Sequence, residues 1–214
     1  GNVDASTQIG HGGTDTNATI DGAIQVTSSA GQVATFAGVN QVGTYTQIGH
    51  GGTRSEGIFS GAITVDGETG VDFKTGVGTG SYTQIGHGGL LSTSNRTGAI
   101  SVTSNNGGIS FAGSGAAQAY AQLGHGGDRA VGTSSDNITV NAKAGNVSFT
   151  AGSADRSYAM LGHGGIFNND TVAMSGIIDV DATGNVSFIS GAGIGNWKFA
   201  QLGHGGLGVD GNKD

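Results

Sequence analysis

One short motif, repeated six times, limits most strongly what this chain of 214 residues can fold into. The motif is Gly-His-Gly-Gly, usually preceded by Gln-Ile or Gln-Leu, and it recurs at intervals of 37 to 41 residues. A period in this range is typical of solenoids, in which each repeat forms one structural unit and stacks on the next. All six histidines of the chain belong to the motif: His11, His50, His87, His125, His163 and His204.

Two further patterns keep the same step between the histidine motifs. An Ile-x-Val pattern is followed about ten residues later by an apolar-x-Phe pattern, in five successive repeats. Alternation of β-branched and aromatic residues between glycines indicates short strands, and no stretch has the spacing of an amphipathic helix. We therefore predict three strands per repeat, with the polar segment after each histidine motif (53–60, 128–135) forming a loop. Stacking would place five phenylalanines in one column: Phe36, Phe73, Phe111, Phe149 and Phe188.

The predicted fold is all-β, a parallel β-helix of about six repeats of about 38 residues, with residues 1–214 forming a single array. One repeat has too few large apolar residues for a core of its own, so burial requires stacking. The absence of proline agrees, because proline removes a hydrogen bond from a central strand. One coil per repeat would rise about 4.8 Å, and two coils of about 19 residues would rise about 9.6 Å. The irregular polar segment favours one coil, but the 18-residue step from Tyr45 to Ile63 keeps the second winding open.

Composition excludes several classes of protein. The chain has no cysteine, which rules out a disulfide-stapled domain, a zinc–thiolate site and a cysteine nucleophile. A net charge of −7, with only eight unclustered Lys and Arg residues, argues against a nucleic-acid partner. No apolar run is long enough for a membrane span. The chain starts Gly-Asn-Val, so we expect either a removed leader or a segment of a longer fibre.

An enzymatic function is not expected. Polysaccharide chemistry on a β-helix would need paired carboxylates, or a carboxylate with Lys or Arg, gathered on one face. The candidate groups, Asp66 with Glu68 and Asp72, or Asp179 with Asp181, interrupt the repeat only locally. The sequence has no Gly-x-Ser-x-Gly motif and no phosphate-loop or dinucleotide fingerprint. We therefore predict no catalytic residues and no dedicated cofactor.

The six histidines are the most distinctive chemical feature of the repeat. Imidazole is the commonest metal ligand in proteins, so weak binding of copper, nickel or zinc by a histidine column is one hypothesis. No Asp or Glu recurs beside each histidine. The alternative is therefore a corner residue whose nitrogens bond backbone groups of the Gly-Gly turn. Stacked imidazolium charges would repel, so we expect lowered pKa values and a loss of stability below about pH 6.5.

Two further columns precede the histidine motif. Four tyrosines could form an exposed strip on which sugar rings stack, or they could pack on one another inside the fold. A glutamine occupies five of six equivalent positions, with Met160 at the other, and we interpret it as a structural amide ladder. The residues concerned are Tyr45, Tyr82, Tyr120 and Tyr158, followed by Phe199, and Gln8, Gln47, Gln84, Gln122 and Gln201.

Segments such as 98–102, 108–113 and 119–127 combine Gly-Ala-Ile-Ser-Val, Gly-Ile-Ser-Phe-Ala-Gly and Ala-Tyr-Ala-Gln-Leu-Gly-His-Gly-Gly. These repeats resemble those of filamentous-haemagglutinin-like bacterial surface proteins, over essentially the whole chain. The resemblance implies a right-handed parallel β-helix and a structural or adhesive shaft in a large exported fibre at the cell surface. It implies cell-surface or matrix partners, possibly carbohydrate, and end-to-end or lateral self-association. The alternatives are a repetitive carbohydrate- or metal-binding module and a subunit of an extracellular filament.

Overall fold

The computed structural model describes residues 5–36, 42–168, 172–209 and 211–213, and within them the regular structure is entirely β-strand. The strands stack as parallel sheets into a β-helix, which confirms the predicted fold class. Sheet A carries the residues that precede each histidine motif. Its strands are β1 (Ser6–Ile9), β5 (Tyr45–Ile48), β9 (Tyr82–Ile85), β13 (Tyr120–Leu123), β16 (Tyr158–Leu161) and β20 (Phe199–Leu202).

Three more sheets complete the coil in the order B, C, D. Sheet B contains β2 (Asn17–Asp21), β6 (Glu56–Ser60) and β10 (Thr93–Arg96), and further along β17 (Val172–Met174) paired with β21 (Gly211–Lys213). Sheet C contains β3 (Ile24–Ser28), β7 (Ile63–Gly67), β11 (Ile100–Ser104), β14 (Ile138–Ala142) and β18 (Ile178–Ala182). Sheet D contains β4 (Gln32–Phe36), β8 (Gly70–Lys74), β12 (Ile109–Ala112), β15 (Val147–Thr150) and β19 (Val186–Ile189).

One repeat forms one coil. Tyr45 pairs directly with Tyr82, and Ile63 pairs with Ile100, so equivalent residues of successive repeats are neighbours in the same sheet. Stacked rings of adjacent coils lie 4.8 Å apart in the middle of the array. This spacing is that of hydrogen-bonded strands. The single-coil winding is therefore confirmed, and the alternative of two 19-residue coils is wrong.

The predicted loop after each histidine motif is wrong for residues 56–60. This segment forms β6, which pairs with β2 on one side and β10 on the other. Its alternation buries Phe59 and leaves Glu56 exposed, so it has an inward-facing side like the other strands. In the fourth coil, the equivalent segment makes only isolated bridges, at Val131 and Ser134.

The phenylalanine column is confirmed for four of its five predicted members and wrong for Phe36. The rings of Phe73, Phe111, Phe149 and Phe188 stack with centroids 5.0–5.1 Å apart. In the first coil, Thr35 pairs with Phe73, and Phe36 pairs with Lys74. The register follows from Val33, which is buried and pairs with Val71 of the apolar core. The Thr35 hydroxyl bonds Thr46 and Thr83 inside the fold.

Sheet A separates two compartments, because its strands are buried on both faces in the second to fifth coils. Alternate residues of a strand point to opposite faces. Ile48, Ile85, Leu123 and Leu161 pack with the aliphatic and phenylalanine columns of sheets C and D, which we call the apolar compartment. The tyrosines belong to a second cluster with Leu90, Met160 and Ile166, which we call the tyrosine compartment.

Candidate functional site: the histidine, glutamine and tyrosine columns

Glycine columns set the path of the turn that carries each histidine. In the third coil, Gly86, Gly88 and Gly89 have φ angles of 150°, 95° and 149°, a region that favours glycine. A Cβ on Gly86 would lie 2.0 Å from the carbonyl oxygen of Gly124 in the next coil. Backbone approach between coils therefore leaves no room for a side chain at this position, and the same contact recurs at Gly49 and Gly124.

The histidine rings form one continuous stack. Adjacent ring centroids are 4.8–5.3 Å apart, and the ring planes are within 8° of parallel. His50, His87, His125 and His163 are buried, and His11 in the first coil is exposed. The predicted alignment of all six histidines is therefore present in the structure, with the spacing of single coils.

In five of the six rings, the Nδ1 atom accepts a hydrogen bond from the preceding coil. The backbone N–H of His87, for example, donates to Nδ1 of His125 at 2.9 Å. Equivalent bonds of 2.9–3.1 Å join every successive pair in the stack. Because a protonated nitrogen cannot accept, Nδ1 carries no hydrogen in the five rings that accept these bonds: His50, His87, His125, His163 and His204.

The Nε2 atom of the same five rings bonds a backbone carbonyl at the corner before sheet C. His87 reaches Gly61, and His125 reaches Gly98, both at 2.9 Å. The other partners are the carbonyls of Gly22, Asp136 and Gly176, at 2.9–3.0 Å. Since these partners only accept, the hydrogen-bond network assigns the hydrogen to Nε2 and makes each ring neutral. Each imidazole thus joins its coil to the preceding one at two separate points.

Burial favours the neutral form of the buried rings His50, His87, His125 and His163. Desolvation lowers the pKa of His87 to about 4 and that of His163 to about 3, and repulsion from a neighbouring histidine and from Arg96 contributes to both shifts. The pKa of His125 is lowered well below its usual range by burial first, and then by His87 and His163. The direction of these shifts agrees with the sequence prediction, but burial outweighs repulsion between rings as the cause.

This geometry disfavours the metal-binding hypothesis for the histidine column. A metal ion needs a nitrogen lone pair, and in five rings the Nδ1 lone pair already accepts a backbone N–H. Nε2 of those rings holds the hydrogen that bonds a carbonyl. Over the described ranges, no group of three or more His, Cys, Asp or Glu residues is arranged to hold a metal. A metal at these rings would have to displace hydrogen bonds that link the coils.

The glutamine column makes a second set of bonds between coils. The Nε2 of Gln47 donates to the carbonyls of Gly86 and Gly88 in the next coil, at 2.9 and 2.8 Å. Gln8, Gln84 and Gln122 repeat this pair of bonds at 2.9–3.2 Å. The amides therefore bridge the glycine carbonyls on either side of each histidine, as the predicted structural ladder requires. Met160 cannot donate these bonds to the sixth coil.

The tyrosine column is internal, so the proposed strip for sugar stacking is wrong. Tyr45, Tyr82, Tyr120 and Tyr158 are 0–1% exposed, and their rings stack 4.7–4.8 Å apart. Both ring faces are covered by the neighbouring rings in the middle of the stack. Leu90 and Ile166, which lie directly after the histidine motif in the segment predicted to be a loop, pack against this column. The tyrosines are therefore a packing column.

Two buried charged residues in the same region were missed by the sequence analysis. Arg96 is 1% exposed, and its guanidinium donates to the hydroxyls of Ser92, Ser94 and Ser134 and to two carbonyls. Burial lowers its pKa to about 10. Asp128 is buried, and burial raises its pKa, while Arg129 donates to it at 3.2 Å. Neither position repeats between coils, so no sequence pattern marks these residues.

The candidate catalytic carboxylates do not converge into one site. Asp66 and Glu68 both accept hydrogen bonds from Asn105, whereas Asp72 lies on sheet D and bonds Lys74 at 2.8 Å. Asp179 and Asp181 both lie on the exposed side of β18. These carboxylates hold outer corners and faces of the coil rather than flanking a common cleft.

Comparison of the chain with protein-family models, with curated proteins and with solved structures found no match. In the part of the chain that the structure describes, no helix has the length and hydrophobicity needed to cross a membrane. The physical basis for a functional proposal is therefore the fold itself, together with what its side-chain columns bond.

Proposed function

We propose that this chain is a structural shaft segment of an elongated fibre at a bacterial cell surface. The observation that carries the proposal is that the chemically distinctive side chains of the repeat bond the neighbouring coil. Each internal histidine makes two bonds to the coil before it. Four of the five glutamines, Gln8, Gln47, Gln84 and Gln122, each make two bonds to the coil after it. Histidine and glutamine side chains that bond successive coils in this way stabilise a long, stiff rod.

The repeat geometry also suits a spacer. Each repeat of about 38 residues adds one coil and about 4.8 Å of length, with parallel hydrogen-bond ladders on several sides of the rod. In such an array, each coil contacts mainly its neighbours, so length follows the number of repeats. A protein that must hold a terminal domain away from a surface gains reach by adding repeats, without a new fold.

The surface location and the partners are further parts of this proposal. They are supported by the resemblance of this repeat to the repeats of filamentous-haemagglutinin-like proteins. The segments that carry the resemblance are 98–102, 108–113 and 119–127. The outward-facing residues of sheet C are largely Thr, Ser, Asn and Asp, which suit a hydrated exterior. Antibodies against the chain should label intact source cells. Labelling only after permeabilisation would contradict a surface location.

A duplication experiment tests the shaft geometry. A second copy of residues 51–163 inserted directly after His163 preserves the motif and adds three coils in phase. Small-angle X-ray scattering should show a rod about 14 Å longer with the same cross-section. A control insertion of residues 70–163 breaks the phase of every column and should not give a longer folded rod. An in-phase variant that forms a second globule, or that keeps its original length, would refute the shaft proposal.

A further inference from the structure

The outer face of sheet D carries a trough that the shaft proposal does not use. Gln32 and Gly70 are the first residues of β4 and β8, and Gly108 and Asn146 directly precede β12 and β15. The four positions therefore follow one another in register across the first four coils, on the outward-facing side. The two middle positions have no side chain, so the amides of Gln32 and Asn146 stand on either side of a gap. Three coil spacings separate these amides, which is about 14 Å.

Backbone packing explains why the floor of the trough consists of glycine. A Cβ on Gly108 would lie 2.9 Å from the carbonyl oxygen of Asn146, and Gly70 has a φ of 152°. The gap is therefore built into the backbone rather than left by mobile side chains. It has a volume of about 430 Å³, which lies within the range of about 300–1,000 Å³ found for small-ligand sites.

One wall of the trough is a row of polar groups two residues further along the strands. Asp72, Ser110 and Ser148 follow one another in adjacent coils, with Lys74 beside Asp72. The Asp72 carboxylate accepts from the Lys74 ammonium at 2.8 Å and from the Ser110 hydroxyl at 2.5 Å. The Oδ1 atom of Asn146 accepts the backbone N–H of Asn185 at 2.8 Å, which fixes the orientation of this amide.

The chemistry of this lining selects a class of ligand. The single carboxylate and the single ammonium neutralise each other, and the remaining groups are hydroxyls and amides that both donate and accept. A phosphate or sulfate would meet no unpaired cation here and would face a chain of net charge −7. A neutral ligand rich in hydroxyl groups matches the mixture of donors and acceptors without desolvating an uncompensated charge.

We propose that this trough is a binding subsite for a neutral oligosaccharide. It goes beyond the shaft proposal, since it places a recognition site on the side of the rod. The ligand lies across the strands, between the Gln32 and Asn146 amides, with its hydroxyl groups on the wall formed by Asp72, Ser110 and Ser148. The site is distinct from the buried tyrosine column, for which the sequence left sugar stacking as one of two possibilities.

Titration calorimetry with linear gluco-, xylo- and chito-oligosaccharides tests the proposal, using Ser110→Trp to fill the trough. The matched control is Ser101→Trp, which changes an outward-facing serine of the same coil on sheet C. We expect at least one of these saccharides to bind the unmodified chain, Ser110→Trp to weaken Kd at least tenfold, and Ser101→Trp to leave Kd within twofold.

A second pair of variants keeps the test informative if Ser110→Trp does not fold. Ser148→Trp fills the trough from the next coil, and Thr139→Trp is its control on sheet C. Absence of binding to all three saccharide series overturns the proposal, as does equal weakening by a trough variant and its control. A sulfated oligosaccharide is titrated in parallel, and binding confined to that ligand overturns the proposal as well. The duplication experiment measures rod length only, so the two proposals fail separately.

Discussion

The apolar compartment and the polar columns obey the same repeat, but they restrict the sequence differently. In the apolar compartment, one column of sheet A contains isoleucine in two coils and leucine in the next two, and all four side chains are buried: Ile48, Ile85, Leu123 and Leu161. In the histidine stack, the same residue occurs in every coil. Packing requires a suitable volume and apolar character, which several residues supply. A ring that must accept at one nitrogen and donate at the other can only be histidine.

The exceptions in the polar region support this comparison. Met160 replaces a glutamine in the fifth coil, where two bonds to the next coil are lost but the fold continues. Arg96 stands in a sheet B column beside Phe59 and Ser134, and it donates to hydroxyls and carbonyls around it. A side chain that makes directional hydrogen bonds can therefore be replaced only where packing, or a local set of hydrogen-bond partners, compensates for the lost bonds.

The glycine turn should give the largest effect. Gly86→Ala would place a methyl group against the Gly124 carbonyl at a φ that disfavours alanine, so we expect a loss of more than about 5 kcal/mol and no folded protein. Gly115→Ala is the matched control, because its nearest contact would be the Ser153 hydroxyl at 3.3 Å. Circular dichroism and urea unfolding measure both. A stably folded Gly86→Ala chain would contradict the packing of the turn.

Acid should be the next most damaging change. The folded pKa values of His87, His125 and His163 lie below the unfolded value, so their stabilisation is complete above about pH 6.5 and is lost as pH falls toward about 4. Unfolding then takes up three protons, which corresponds to roughly 4 kcal/mol per pH unit. Asp128, whose pKa is raised, contributes an opposite slope. Unfolding free energies that stay constant between pH 7 and 5 would contradict the neutral stack.

Removal of one internal ring tests the column directly. His125→Ala leaves the His87 N–H and the Gly98 carbonyl without their partners in a buried site, which should cost about 3–4 kcal/mol. His11→Ala removes the exposed ring at the start of the same stack and should cost less than about 1 kcal/mol. Urea unfolding of both variants measures the difference. Equal costs would mean that the bonds to the rings contribute little.

Repair of the glutamine column should give the smallest effect, of opposite sign. Met160→Gln restores an amide donor facing the carbonyls of Gly203 and Gly205, and we expect a gain of about 1 kcal/mol. The reverse substitution at an intact position, Gln122→Met, should destabilise by a similar amount, because it removes the amide donor that bonds the carbonyls of Gly162 and Gly164. A destabilising Met160→Gln would show that packing outweighs the amide bonds.

The repeated columns made much of the fold predictable from sequence. Six histidines at intervals of 37 to 41 residues and four of the five phenylalanines indicated the stacking direction and the coil length, which the structure confirms. Sheet B was missed because its inward positions do not repeat: Phe59, Arg96 and Ser134 occupy equivalent places. The residues that cover the tyrosines, such as Leu90 and Ile166, also lie directly after a histidine motif, in the segment predicted to be a loop. Phe36 was wrongly assigned to the phenylalanine column because the spacing of the phenylalanines does not show that Thr35, and not Phe36, pairs with Phe73.

The protonation state of the histidine rings tests the central claim most directly. In a ¹⁵N-labelled sample, two-bond ¹⁵N–¹H correlation spectra distinguish the Nε2–H tautomer, the Nδ1–H tautomer and the imidazolium ion for each ring. We predict that His50, His87, His125 and His163 are neutral with the hydrogen on Nε2 at pH 7, and that His87, His125 and His163 remain so at pH 5. Nδ1–H rings, or titration of His125 near pH 6.5, would contradict the proposed link between coils.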